Sequence, residues 1–165
     1  MQMAREDRVP IEKLQGYSCF ACGTENPIGL NLQFYRQGDA VCSDVVLGDH
    51  YQGWDHMAHG GIISTMLDEV MAWSVIYFRR VFSVTRKMEL KYVRPVLTGR
   101  PITVRGRILD GSDHRQKVKA KGEIRDDAGK LLVKSSAEFV VLSEDQLSSV
   151  GEDLKAEMRQ LFNRL

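Results

Sequence analysis

His59-Gly60-Gly61-Ile62-Ile63-Ser64-Thr65-Met66-Leu67-Asp68-Glu69-Val70-Met71-Ala72-Trp73 is the stretch on which the rest of the chain turns. Its apolar residues fall at 62, 63, 66, 67, 70 and 71, the spacing of a helix with a wide buried face. Two glycines at its start leave free backbone N–H groups at the positive end of the helix dipole, where an anion or a polarised carbonyl is favoured. Gly61, Thr65, Asp68 and Ala72 share one face, mostly of small residues, with a carboxylate in it. A charge inside so apolar a helix is costly unless something pairs or uses it. The residues alone leave a second reading equally open: Asp68 and Glu69 as the solvated edge of an amphipathic helix, and the glycines as an ordinary turn.

Working outward, Leu30, Leu32 and Phe34 alternate, then Val41, Ser43, Val45 and Leu47, with Gly38-Asp39 between, which predicts a hairpin. Residues 50–58 form a polar and aromatic loop into the helix. Beyond the helix, Val84, Arg86, Met88, Leu90 and Tyr92 alternate with Thr85, Lys87, Glu89 and Lys91, and Pro95 ends that strand. Further strands are expected at 102–109, 114–125 and 131–142, separated by Asp110-Gly111-Ser112 and Asp126-Asp127-Ala128-Gly129. Ser143 with Gln146 three places later predicts a capping box. Leu147, Val150, Leu154, Met158, Leu161 and Leu165 then stripe a final helix that Gly151 interrupts. Two strands, one buried helix, four strands and a terminal helix make an antiparallel sheet with its helices on one face, an α+β fold. The expected division is a lead-in over 1–18, poorly ordered or helical, a main domain over 19–142 and a C-terminal helix over 143–165.

A chain of 165 residues, 43% apolar and 27% charged, fits one soluble domain with a real core. Residues 1–14 lack the apolar centre of a signal peptide, and no run approaches the roughly 18–20 apolar residues that span a bilayer. Three cysteines argue against a disulfide framework and fit a reducing compartment, so a cytoplasmic location without membrane partners is expected. Cys19-x-x-Cys22 invites a zinc or redox reading. A structural zinc site usually takes four ligands, however, and only Cys42 remains as a further cysteine. No βαβ unit supports a redox role either, so no metal is expected and the segment reads as a turn packed by small cysteines. His50, Asp55, His56 and His59 also cluster, but His56-x-x-His59 lacks the register of a helical zinc pair.

Residues 79–121 hold thirteen Lys/Arg against three acids, a local balance of +10. Such asymmetry suggests an anionic partner, although alternating strand residues placing Lys and Arg in water account for many of these charges.

His59-Gly60-Gly61 followed by Asp68 resembles the hotdog-fold acyl-CoA thioesterases of the PaaI-like type. Cys19-Phe20-x-Cys22-Gly23…Asn26-Pro27-x-Gly29-Leu30, Gln52-Gly53-Trp54 and Lys91-Tyr92-x-Arg94-Pro95 are similar to one branch of that group. Together these motifs cover roughly residues 19–142. The resemblance implies a sheet wrapped around the central helix, subunits paired edge to edge, and hydrolysis of a thioester joining an acyl group to coenzyme A or an acyl carrier. It implies the Gly60 N–H as the oxyanion contact, Asp68 as general base or nucleophile, and His59 as the residue orienting the loop or capping the helix. A hydroxyl on the following strand corresponds to Thr85. Strict alternation puts Thr85 on the face opposite Met88 and Leu90, so that assignment needs a bulge. Where some relatives carry Asn or Gln before the His-Gly-Gly, this chain has Gly53, leaving Gln52 as the nearby polar candidate. Gly61 and Gln52 join the expected substrate contacts, with Arg94, Arg107, Arg115 and Lys117 for the phosphates of coenzyme A. Coenzyme A is then part of the substrate, and no cofactor is required.

Gly60 and Asp68 are eight residues apart, roughly 12 Å along one helix at about 1.5 Å per residue. Both must reach the same carbonyl, within about 3 Å or one water. A straight helix cannot do that, so the acid of one chain must meet the helix start of another: a homodimer with composite sites, open to pairing into a dimer of dimers. A hydratase would want a His together with the Asp on the helix, and none follows His59. A non-catalytic acyl-CoA sensor would not need Asp68. Nucleic acid is not expected as a partner, because no recognition helix or aromatic RNA motif is visible.

Overall fold

The computed structural model describes residues 7–109 and 116–165. The 3.6-residue apolar period becomes helix α1 (Gly60–Arg79), and its Ile63, Met66, Leu67, Val70, Met71, Trp73, Ser74 and Val75 are buried. The alternating stretches become strands β1 (Val9–Ile11), β2 (Phe34–Gln37), β3 (Ala40–Val46), β6 (Ser83–Tyr92), β7 (Pro101–Ile108), β8 (Lys117–Asp126) and β9 (Leu131–Val141). They form one antiparallel sheet in the order β1-β2-β3-β7-β8-β9-β6. A separate two-stranded ribbon, β4 (Gln52–Trp54) with β5 (Met57–Ala58), leads into the helix.

How closely α1 lies on the sheet is decided by two glycines that face each other across β7 and β8, Gly106 and Gly122. A Cβ on Gly106 would fall 2.8 Å from the Val70 carbonyl oxygen, and one on Gly122 would fall 3.0 Å from Leu67 Cδ2. Bare backbone here lets the helix sink into the curve of the sheet, and Phe139, Met66, Leu67, Met71 and Ile124 pack around the contact without exposure. The helix ends where Arg80 turns left-handed (φ 53°) and returns its N–H to the Ile76 carbonyl. α1 is the one helix among the described residues long and apolar enough to cross a bilayer. Here its apolar side is taken up by the sheet. Met66, Met71 and Trp73, which at helical spacing could also have lined an acyl pocket, are core residues, with Trp73 stacked on Phe34.

The C-terminal segment follows its sequence signals: the Ser143–Gln146 capping box forms, and helix α2 (Glu152–Arg164) starts after Gly151. α2 is tied back by Arg80 Nε donating to the Phe162 carbonyl at 2.7 Å and by Phe82 packing edge-on against Phe162. The N-terminus differs from expectation. Residues 9–11 are not helical or loose but form the first strand, with Ile11 buried and Lys13 donating to the Cys22 and Leu32 carbonyls and to Asn31. A three-residue strand is too short to show an alternating signal. Residues 30–33, expected to begin the hairpin, lie before β2. The Asp110-Gly111-Ser112 turn and the start of the third post-helix strand lie outside the described residues.

Candidate active site

The start of α1 is held from several sides. His59 is extended (φ −63°, ψ 136°), and its Nδ1 accepts the Gly61 N–H at 2.9 Å, so it caps the helix as expected. Its own N–H donates to the Tyr51 carbonyl, and the Ile62 and Ile63 N–H groups both return to the His59 carbonyl. Tyr92 Oη donates to the Gly60 carbonyl at 2.9 Å. The Gly60 N–H is left without an acceptor among the described residues. An unpaired amide at a helix N-terminus is an oxyanion-type donor. Gly53 packs beneath this cap: a Cβ there would sit 3.2 Å from the Cα and from a ring carbon of His59. The residue that departs from the motif therefore does so where a side chain would meet the capping ring.

Asp68 lies one face round the helix, opposite β6. Between Thr85 and Lys87 the register of β6 against β9 shifts by a bulge: Thr85 pairs with Phe139, Lys87 with Glu138 and Met88 with Ala137. Phe139 and Ala137 both face the core, so the extra residue brings Thr85 onto the helix side together with Met88. Thr85 Oγ1 donates to Asp68 Oδ1 at 2.6 Å. The bulge that the Thr85 assignment required is present. Asp68 is half-buried and its second oxygen, Oδ2, has no partner among the described residues. The carboxylate is thus aimed, charge-assisted on one oxygen and open on the other.

Within one chain the Gly60 amide and the Asp68 carboxylate stay roughly 12 Å apart along the α1 axis at about 1.5 Å per residue. β6, which carries Thr85 and Tyr92, is the end strand of the sheet, ten residues long and unpaired on its outer edge among the described residues. Val84 and Tyr92 within it and Val93 just beyond it are exposed. A long open edge with apolar residues is a surface suited to pairing with another chain.

The remaining candidates are scattered. Gln52 Oε1 accepts the His56 N–H and closes the β4–β5 turn rather than reaching Asp68. Gly61 is at the exposed helix start, and its carbonyl accepts from Ser64 and Thr65. Arg94 is two residues past Tyr92 and donates to the Leu131 carbonyl at 2.7 Å. Arg107 lies 3.7 Å from Asp39 and Lys117 3.7 Å from Glu138. Arg115 lies outside the described residues. A groove of about 750 Å³ is lined by Glu89, Lys91, Arg107, Lys121, Glu123 and Lys134 among others. Its charged residues alternate with the buried ones of β7, β8 and β9, so it lies on the sheet face away from α1. Most of the basic excess is therefore a solvated sheet face. Tyr92 escaped sequence reasoning as a site residue, although its place after Met88 and Leu90 in the alternation aims it at the helix.

The two acids in the helix separate sharply. Glu69 turns away from Asp68, toward Cys22, and its Oε1 accepts the Trp73 indole N–H at 3.0 Å. Desolvation raises the Glu69 carboxyl above its ordinary value of 4.5, against the lowering pull of its Cys22 and Trp73 hydrogen bonds. Neither acid is a solvated helix edge. The histidine cluster does not assemble: His56 is 3.6 Å from Asp55 in an exposed pair, while His59 is spent on its cap.

Residues 56–132 match the sequence model of the thioesterase superfamily. No protein of curated function matches the chain in sequence. Among solved structures, the chain is similar to a thioesterase superfamily protein at 26% identity and a TM-score of 0.65, over 70% of this chain and 56% of that one. The chain thus spans little more than half the length of that relative. A phenylacetic acid degradation-related protein from Ralstonia eutropha is 25% identical with a TM-score of 0.59, over 68% of this chain and 86% of that one. A hypothetical thioesterase protein of Streptococcus pneumoniae, crystallised with coenzyme A, shares the fold at 18% identity and a TM-score of 0.62, over 68% and 87% of the two chains. The sheet-and-helix frame is thus the hotdog fold of these solved structures, and residues 56–132 within it are similar to the thioesterase superfamily.

Proposed function

We propose that the chain is an acyl-CoA thioesterase acting as a homodimer, with each site shared between two subunits. The observation that carries this reading is the Thr85–Asp68 hydrogen bond, which holds a carboxylate with one free oxygen on the helix face beside an open strand edge. The free Gly60 N–H at the start of the same helix is the matching half, too distant to serve its own Asp68. Edge-to-edge pairing through β6 would bring the Asp68 of one subunit to the Gly60 of the other.

The chemistry follows from these two groups. The partner's Gly60 N–H polarises the thioester carbonyl and receives the negative charge as the tetrahedral intermediate forms. Asp68 Oδ2 either takes a proton from the water that attacks the carbonyl carbon, or attacks that carbon itself to give an anhydride that water then opens. In both routes the C–S bond breaks, the sulfur leaves as the coenzyme A thiolate, and the acyl group departs as a carboxylate. Arg94, next to the Tyr92 that touches Gly60, is the best-placed cation for a coenzyme A phosphate. The S. pneumoniae relative crystallised with coenzyme A supports that ligand class.

The test is a panel of acyl- and aryl-CoA esters followed with a thiol-reactive dye. Wild type is expected to release thiol from at least one ester, and Asp68→Asn to lose turnover by at least about 100-fold, with folding and dimerisation kept. Turnover by wild type no faster than by Asp68→Ala would overturn the role of Asp68, and tight binding of esters without turnover by either would instead make this a non-catalytic acyl-CoA-binding protein.

A further inference from the structure

We propose that Cys19, Cys22 and Glu69 bind a zinc ion that fastens the N-terminal segment to the central helix. Sequence spacing argues against zinc because no second ligand pair follows the Cys-x-x-Cys. The fold supplies the missing ligand from an unexpected place. The two thiol sulfurs and a carboxylate oxygen of Glu69 all lie within 4.8 Å of one another, the one such convergence of His, Cys, Asp and Glu among the described residues. In a tetrahedral site with Zn–S of about 2.3 Å and Zn–O of about 2.0–2.2 Å, ligand atoms stand roughly 3.5–3.8 Å apart.

Three further contacts fit a ligand site. Cys19-Phe20-Ala21-Cys22-Gly23 folds into a tight knuckle, with the Gly23 N–H on the Cys19 carbonyl at 2.9 Å. A Cβ on Gly23 would lie 2.3 Å from the Tyr17 carbonyl oxygen and 2.5 Å from the Cys19 nitrogen, so the turn that brings the two sulfurs together admits glycine alone. The Trp73 N–H donates to Glu69 Oε1 at 3.0 Å, an outer contact of the kind that orients a ligating carboxylate. Lys13 is buried beside the knuckle, its ammonium donating to the Cys22 carbonyl at 2.8 Å and to Asn31 at 2.6 Å. Two thiolates and one carboxylate carry three negative charges, which Zn²⁺ and Lys13 balance. On binding, each thiol that ligates gives its proton to water. Cys19 is exposed, so the fourth position is open to a water.

The site is separate from the proposed reaction centre, since Glu69 and Asp68 point to different neighbours, and its test does not use thioester turnover. The full chain is purified without chelator and its zinc measured by elemental mass spectrometry. It is then stripped with EDTA and titrated with Zn²⁺ alone and with Co²⁺ alone. Near-stoichiometric zinc and a thiolate-to-cobalt charge-transfer band are expected. Cys19→Ser and Cys22→Ser are expected to abolish that band, and Glu69→Gln to weaken metal affinity by roughly tenfold or more. Zn²⁺ should raise the melting temperature of the stripped wild type and not that of Cys19→Ser. Cys19 is exposed, so its serine variant stays a fair control if Cys22→Ser fails to fold. Wild type without zinc and without a cobalt–thiolate band overturns the proposal. So does binding by the serine variants equal to wild type, or a Cys19–Cys22 disulfide that persists in glutathione-reduced protein.

Discussion

Thr85 Oγ1 stands 2.6 Å from Asp68 Oδ1 because β6 carries one extra residue between Thr85 and Lys87. Without that bulge the hydroxyl would face away from the helix, and the carboxylate would lack the contact that fixes its rotamer. Local strand irregularity thus connects directly to the aim of the proposed catalytic group.

Thr85→Ala removes a hydrogen bond to a charged acceptor, which contributes about 1.5–3 kcal/mol. In turnover that corresponds to a fall of roughly 10- to 100-fold, at tenfold per 1.4 kcal/mol, with KM little changed. Thr85→Ser, which keeps the hydroxyl, should restore most of it. Steady-state kinetics on the two variants side by side are the check.

Gly106→Ala drives a methyl group to 2.8 Å from the Val70 carbonyl oxygen, where the obstacle is helix backbone and cannot swing aside. Overpacking of this kind costs about 1–3 kcal/mol, or roughly 2–12 °C of melting temperature in a domain of this size. Gly48→Ala, with nothing within 4 Å of the added Cβ, is the matched control and should stay within about 0.5 kcal/mol. Thermal melts of the pair test whether α1 rests on bare backbone.

The sequence and the fold agree best where a period repeats several times. The 62–71 apolar spacing and the alternations of 84–92, 102–109 and 131–142 each survive as an element, because burial of one face is what those repeats encode. The His59 cap was legible for the same reason, since it is fixed at the start of one helix. What escaped depends on pairings between distant segments. β1 is three residues long and is defined by its partner β2, and Glu69 looks like a surface acid until Cys22 and Trp73 close over it. Likewise Thr85 could be oriented from sequence only by assuming a bulge, which shows only in the register of β6 against β9. Arg107 and Lys117 show the converse. Read as phosphate contacts, they sit opposite Asp39 and Glu138.

Acid should act through Asp44. Desolvation pushes its carboxyl up, but hydrogen bonds from Thr103, Arg8 and Tyr35 outweigh it and hold the group below its ordinary value of 3.8. A carboxyl depressed in the folded state adds stability above its unfolded pKa and loses that stability as pH falls through the folded value. Asp44→Asn should therefore be less stable than wild type near neutral pH, with the gap shrinking below about pH 4 as wild-type Asp44 takes up its proton. Urea unfolding of both proteins from pH 7 to pH 3 measures it; a gap that widens toward acid would reverse the sign.

Sharing of the site between subunits is tested most directly by mixing two inactive variants, Asp68→Ala and Gly60→Pro. Proline suits the backbone here: Gly60 is the first helical residue and His59 before it is already extended, while the added Cβ meets the end of the Tyr92 side chain, 3.3 Å from its Oη, which has to give slightly. The substitution deletes the one N–H at issue and keeps the helix. After subunit exchange, about a quarter of wild-type turnover should return, because about half of the two-fold dimers are hybrids and each rebuilds one of its two sites. No recovery from folded variants that demonstrably exchange subunits, or a wild type that is active as a monomer in light scattering, would contradict a carboxylate and an amide drawn from different chains.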